Sequence, residues 1–237
     1  MPIPTTSATA TEDDTSDKNA PLALNAEGKL GGDATVTDFG PGEPGVVSTV
    51  DVGTYDAESR SLPFVFRNNT SETITSVAGA TVVHDAEGTA IVWGQFRTTN
   101  PAQIPPGGLG LSYSEIEQDE VPANADFEFS FRTAPVGSYE HELQDLSVTD
   151  VSGPEGGIAG TAINQTDETL NDYFKVGVYC FTESGALLSA FQTEANEVAD
   201  VEPGESLSFS ANYDGDECPA SLVGVAASTH SPITYRP

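Results

Sequence analysis

Three histidines, two cysteines and 37 acidic residues are the groups in this chain that could ligate a metal or move a proton. A type 1 copper site would need a Cys with a His closely following in the same loop, a distant second His and usually an axial Met. Here Cys218 is followed by no His until His230, and Met1 is the sole Met. Zinc needs three or four convergent ligands, and His84, His141 and His230 stand apart with no two in motif spacing. Glu117-Gln118-Asp119-Glu120 and Asp214-Gly215-Asp216-Glu217 could offer oxygens to Ca²⁺. Neither follows a known loop pattern, and in a chain this acidic such clusters arise freely. A Gly-x-Ser-x-Gly nucleophile elbow is missing, and so many acids make any carboxylate pair of glycosidase type unremarkable. These residues name no reaction and call for no cofactor, so the chain reads as non-catalytic.

Other chemistry-bearing residues point to modification or to structure. Cys180 continues the apolar parity of Phe174, Val176 and Val178, which places it on the inward face of a strand, while Cys218 follows the polar run 214–217. A bond between them would contribute on the order of 4 kcal/mol in the chain-entropy model and support an extracellular address; two free thiols are the alternative. Asn68-Asn69-Thr70, Asn69-Thr70-Ser71 and Asn164-Gln165-Thr166 fit the glycosylation acceptor pattern, which marks Asn68, Asn69 and Asn164 as candidate sugar sites. Asn and Thr equally suit the turn that ends a strand. Trp93, the only Trp, lies in an apolar strand and reads as core; with Tyr113 and Tyr139 it would form a sugar platform only if exposed. The longest loop candidate, Thr99–Gly110, is mostly Pro, Gly and Asn and suits a turn better than a site.

The elements that must position these residues occur twice. Asn68-Asn69-Thr70-Ser71-Glu72-Thr73-Ile74 recurs as Asn164-Gln165-Thr166-Asp167-Glu168-Thr169-Leu170, followed by Ala86-Glu87-Gly88 as Glu183-Ser184-Gly185 and Pro106-Gly107 as Pro203-Gly204. Gly88 to Pro106 and Gly185 to Pro203 are both 18 positions, a register that chance similarity would not keep. Short runs rich in Val, Ile, Phe and Tyr lie between Gly, Pro and Asn breakers: Val46–Tyr55, Ser61–Arg67, Ser76–Asp85, Ala90–Thr98, Gly108–Ile116 and Asp126–Thr133 in the first copy. Leu143–Ser152, Gly157–Asn164, Asp172–Thr182, Ala186–Thr193, Ser206–Tyr213 and Ser221–His230 form the second. Alternation in Phe127-Glu128-Phe129-Ser130-Phe131 and Leu207-Ser208-Phe209-Ser210 places these apolar side chains in a core. The expected architecture is all-β. It comprises two tandem immunoglobulin-like β-sandwich domains, 46–142 and 143–237, after a disordered acidic linker, 1–45.

Asn at the end of an early strand, a long strand leading to an acidic-x-Gly turn, and Pro-Gly before an amphipathic strand resemble the FxLYD family. These are small immunoglobulin-like modules of prokaryotic lipoproteins and haloarchaeal surface proteins. Val178-Tyr179-Cys180-Phe181 and Val82-Val83-His84-Asp85 stand where the family's namesake motif would fall. The resemblance implies an extracellular accessory or adhesive module and carries over no catalytic residue.

Charge fits the same picture. The net charge is −29, and only 3 lysines are present, Lys18, Lys29 and Lys175. Residues 1–45 carry 8 acids, 46–150 carry 16 and 151–237 carry 13, so the acidity coats the whole chain. Such a coat resembles proteins of salt-loving archaea, because the Debye length falls to about 3 Å at 1 M salt and carboxylate repulsion nearly vanishes. Folded circular-dichroism signal is therefore expected to be lost on transfer from molar salt to dilute buffer; melts that coincide in the two would count against the halophilic reading. Nucleic acid is disfavoured as a partner, since no basic stripe exists to displace counterions.

No run approaches the roughly 18 apolar residues that span a bilayer, and Met1-Pro2-Ile3-Pro4-Thr5-Thr6 lacks the basic and apolar regions of a signal peptide. We read the N-terminal stretch as the stalk of a surface lipoprotein, with membrane attachment only through a removed N-terminal anchor. The expected function is a non-catalytic, structural, adhesive or partner-binding module of a halophilic archaeal surface, with an unidentified protein or cell-envelope partner. Homo-oligomerisation by pairing of open sheet edges fits that reading. The alternative is an exported ligand- or metal-binding accessory subunit of a transport or electron-transfer complex.

Overall fold

A computed structural model describes residues 28–34, 39–118, 121–138, 142–153, 157–195, 200–212 and 218–228. The strands are β1 (Leu30–Gly32), β2 (Val47–Val52), β3 (Ser61–Asn68), β4 (Ile74–His84), β5 (Ala90–Phe96), β6 (Thr99–Asn100) and β7 (Leu109–Ile116). They continue as β8 (Asp126–Pro135), β9 (Gln144–Ser152), β10 (Gly157–Ile163), β11 (Asp172–Phe181), β12 (Leu187–Glu194), β13 (Ser206–Asn212) and β14 (Ala220–Ser228). All pair antiparallel in two curled sheets, ordered β2-β3-β7-β5-β4-β8 and β12-β11-β14-β9-β10-β13. Each sheet folds over on itself, so that β2-β3-β7 faces β5-β4-β8 and β9-β10-β13 faces β12-β11-β14. The expected all-β fold of two tandem sandwiches is the fold observed; matching strands are neighbours within each three-stranded half, but the halves are joined by β7–β5 in the first copy and by β14–β9 in the second.

The first core is aromatic. Phe64, Phe66 and Phe96 are buried with Ile74 and Ile104, and Phe129 and Phe131 of β8 close over them. The Phe64 and Phe96 rings meet edge-on at 4.9 Å, the favoured arrangement of two quadrupoles. The second core is aliphatic, built on Leu146, Val176, Val178, Leu207, Val223 and Val225. Cys180 lies in that cluster with Phe174, Val176 and Val178, on the inward parity the sequence indicates. It is bonded to Cys218 across a separation of 38 residues.

The sandwiches do not hang as beads on a string. They are stacked face to face. Val65, Leu109 and Leu111 of the first copy pack against Tyr179, Phe181, Leu187, Ala190 and Leu222 of the second, forming a third buried cluster. The molecule therefore has four layers, with β5-β4-β8 and β9-β10-β13 outermost. Strand periodicity shows why: even positions of β3 (Leu62, Phe64, Phe66) enter the first core and odd Val65 enters the seam, so every residue of β3 is buried. In β14, odd Val223 and Val225 face inward and even Leu222 faces the seam. Strands buried on both faces lose the polar alternation of a half-wet strand.

The loop read as a simple turn is the lock of this seam. Asn100 packs against the paired glycines Gly177 and Gly224; a Cβ at Gly177 would lie 2.0 Å from its Oδ1, and one at Gly224 would lie 2.6 Å from its Nδ2. Tyr179 Oη donates toward Asn100 Oδ1 at 3.1 Å and the Leu111 carbonyl at 3.0 Å. Nearby, buried Asp145 of β9 accepts hydrogen bonds from the backbone N–H of Ala102 (2.7 Å) and of Gln103 (3.1 Å).

The linker reading of 1–45 needs correction within its described part; residues 1–27 and 35–38 lie outside the described residues. Leu30–Gly32 is a strand paired with β14, in register Leu30↔Gly224 to Gly32↔Leu222. Asp33 Oδ1 also accepts from Ser221 N at 2.9 Å. Leu30 and Phe39 are buried in the seam. Arg67, itself buried, donates to the carbonyls of Phe39, Gly40 and Gly107 at 3.1, 3.2 and 2.9 Å. The segment is thus a strap across both sandwiches. Its Gly-rich, acidic composition hides this, because the strand is only three residues long and contributes one large apolar side chain.

Candidate functional site

The duplicated Asn motifs are structural hubs. Asn68 Nδ2 donates to the carbonyls of Glu72 (2.8 Å) and Ile104 (2.9 Å), and Asn164 Nδ2 to those of Glu168 (2.8 Å) and Val201 (2.9 Å). Their Oδ1 atoms accept from Thr70 Oγ1 and Thr166 Oγ1, each at 2.7 Å. Gly107 and Gly204, both at positive φ, turn the following loop so that their N–H groups donate to the carbonyls of Asn68 and Asn164. Both Asn residues have no exposed surface. Asn69 Nδ2 donates to the strap carbonyls of Pro41 (2.7 Å) and Glu43 (3.1 Å). In this fold Asn68 and Asn164 present no surface to a glycan, whereas Asn69 is only part-buried. The paired Asn-x-Thr pattern builds the same turn in both copies.

Of the candidate ligating groups, His141, His230 and the run 213–217 lie outside the described residues, as do Asp119 and Glu120. His84 Nε2 is 3.1 Å from Glu128 Oε2 and its Nδ1 is 3.3 Å from the Gly88 carbonyl, at the edge of a bay of about 570 Å³. Both ring nitrogens are engaged, and among the described residues no three His, Cys, Asp or Glu converge on a metal position.

The structure moves Trp93 from core to surface. It is 59% exposed. Alternation along β5 decides this: Gly94 and Phe96 point inward while Ile91, Trp93 and Gln95 point out. Residue 94 must be small for β5 to cross from β4 to β7, since a Cβ there would lie 2.6 Å from the Glu115 carbonyl. The crossing pairs Gln95 with Glu115 and makes the outer faces of the two halves of the first-copy sheet continuous at one corner.

That corner is the rim of the seam. Tyr113, half-buried, follows Leu109 and Leu111 on the seam side of β7, and exposed Glu115 comes next. Three depressions of about 310 to 360 Å³ meet at Glu115. One is lined by Trp93, Gln95 and Glu117; a second by Arg97, Tyr113, Lys175 and Gln192; a third by Arg60 and Tyr113. Thr98 Oγ1 donates to Gln192 Oε1 across the seam at 2.8 Å, and Arg97 Nη2 donates to Gln95 Oε1 at 3.1 Å. Burial and the adjacent Glu115 charge raise the Tyr113 pKa, so its hydroxyl keeps its proton. Tyr139, the third aromatic of the anticipated platform, is outside the described residues. No single stretch of sequence announces this site, because four strands from two copies build it. The one legible signal was the lone Trp.

No protein-family model matches the chain, and no curated protein matches it.

Proposed function

We propose that the protein is a non-catalytic recognition module of the cell surface of a halophilic archaeon, akin to FxLYD-like modules and anchored as a lipoprotein in its full-length form. The observation that carries this reading is the rim groove, where the chain's only Trp stands outside beside polar groups contributed by both sandwiches. A rigid seam fixes the spacing of those groups before any partner arrives, which lowers the ordering cost of binding. The Cys180–Cys218 bond supports an oxidising compartment, and the Lys-poor acidic coat supports brine. Immobilised protein is expected to retain isolated haloarchaeal cell envelopes in molar salt, and Arg97→Glu/Lys175→Glu to retain at least five-fold fewer. Equal retention by both proteins, or none by either, would refute the assignment of recognition to this rim.

A further inference from the structure

We infer that the rim groove binds a short, neutral oligosaccharide. The inference rests on the recognition reading above and names the ligand that its chemistry selects. Trp93 is the sole aromatic among the large apolar side chains exposed in the described residues, and its cross-strand neighbour is the short Val82. An indole in that position offers an apolar face on which the C–H face of a sugar ring stacks, as amphipathic aromatic rings do where one side is dry and the other wet. Around it stand side-chain amides (Gln95, Gln192), carboxylates (Glu115, Glu117) and cations (Arg97, Lys175), within the depressions that meet at Glu115. Amides both donate and accept, carboxylates accept in pairs and guanidinium donates as a fork. Vicinal hydroxyls, each both donor and acceptor, satisfy this mixture.

Charge argues against other ligands. The groove sets Arg60, Arg97 and Lys175 against Glu115 and Glu117, so it is close to balanced on a chain of −29. It selects neither a strongly anionic nor a strongly cationic ligand. Large contiguous apolar patches mark protein-docking surfaces, and on this face of β5 the exposed large apolar side chains are Trp93 and Ile91 alone, beside polar groups. Depressions of 310 to 360 Å³ fall at the small end of ligand sites and suit a few sugar rings.

Because Trp93 is the only Trp, the tryptophan fluorescence of the whole protein reports on this groove alone. A printed array of neutral and acidic oligosaccharides, probed with the full chain in molar salt, identifies the sugar. The soluble form of the best neutral hit is then expected to shift Trp93 emission saturably and shield it from acrylamide. On the same array Trp93→Ala and Glu115→Ala should each lose at least ten-fold in affinity while melting within about 2 °C of the parent, because both side chains are exposed. The inference is overturned if no neutral glycan binds, if only acidic glycans bind, or if both variants bind as the parent does. Envelope retention without glycan binding would sink the sugar and leave the recognition reading standing.

Discussion

Asn164→Asp is expected to cost about 4 kcal/mol of folding stability and to lower the thermal midpoint by about 10 °C. The change is nearly isosteric, so packing alone predicts almost nothing. Chemistry predicts a great deal. Asn164 Nδ2 lies 2.8 and 2.9 Å from the carbonyl oxygens of Glu168 and Val201 in a fully buried site. An ionised carboxylate there places negative oxygen against two acceptors with no water to screen it, and a protonated one has a single hydrogen for two carbonyls. Asn68→Asp should behave alike, because its geometry repeats within 0.2 Å in every paired bond. Asn164→Ala, which removes the donors without adding repulsion, should cost less, and Gln165→Glu on the neighbouring exposed side chain should change stability by no more than about 0.5 kcal/mol. Urea melts in molar salt decide the matter: Asn164→Asp no worse than Asn164→Ala would defeat the explanation.

Asp145 gives the second large effect, through pH. Burial pushes its pKa up to about 6, against the lowering effect of the Ala102 and Gln103 N–H groups and of the Lys29 charge. The folded state thus holds a proton more tightly than the unfolded chain, whose Asp titrates near 3.9. The stability this group contributes is fully present below about pH 4 and is lost as pH rises through about 6. A shift of about two units corresponds to about 3 kcal/mol. In molar salt, which screens the exposed carboxylates, the parent should gain about that much between pH 7 and pH 4, and Asp145→Asn should lose that slope. Parallel pH profiles for the two proteins would show that Asp145 does not titrate in this window.

Sequence carried the strands well, and the reason is local. Every strand anticipated from alternation and turn residues is present, from Val47–Val52 to Ala220–Ser228, with ends shifted by a few residues at most. Turns such as Asp85–Gly88 and the Pro-Gly pairs are fixed by residues within four positions of each other. What sequence did not reveal is what depends on contact between distant segments. Seam residues such as Val65 and Leu222 look like any other core residue. The role of Asn100 becomes visible only beside Gly177 and Gly224, and β1 is too short for any periodic signal. The apolar neighbourhood of Trp93 suggests burial, whereas parity with Gly94 and Phe96 carries the opposite message. The cysteine pairing was legible because only one pairing of two residues exists.

Face-to-face stacking also limits how such a chain can evolve. A tandem array joined end to end can lengthen by further duplication, since each new unit brings a free terminus to receive the next. Here each unit has spent one broad face on its twin, and the faces left over are mostly polar, carrying Asp126, Glu128 and Ser130 beside Ile91 and Trp93 at one pole and Thr149, Ser208 and Ser210 at the other. Among the described residues, a third copy would find there no apolar wall as broad as the seam. The pair is a closed dyad, and larger structures would have to be made by neighbours that bring their own adhesive surfaces.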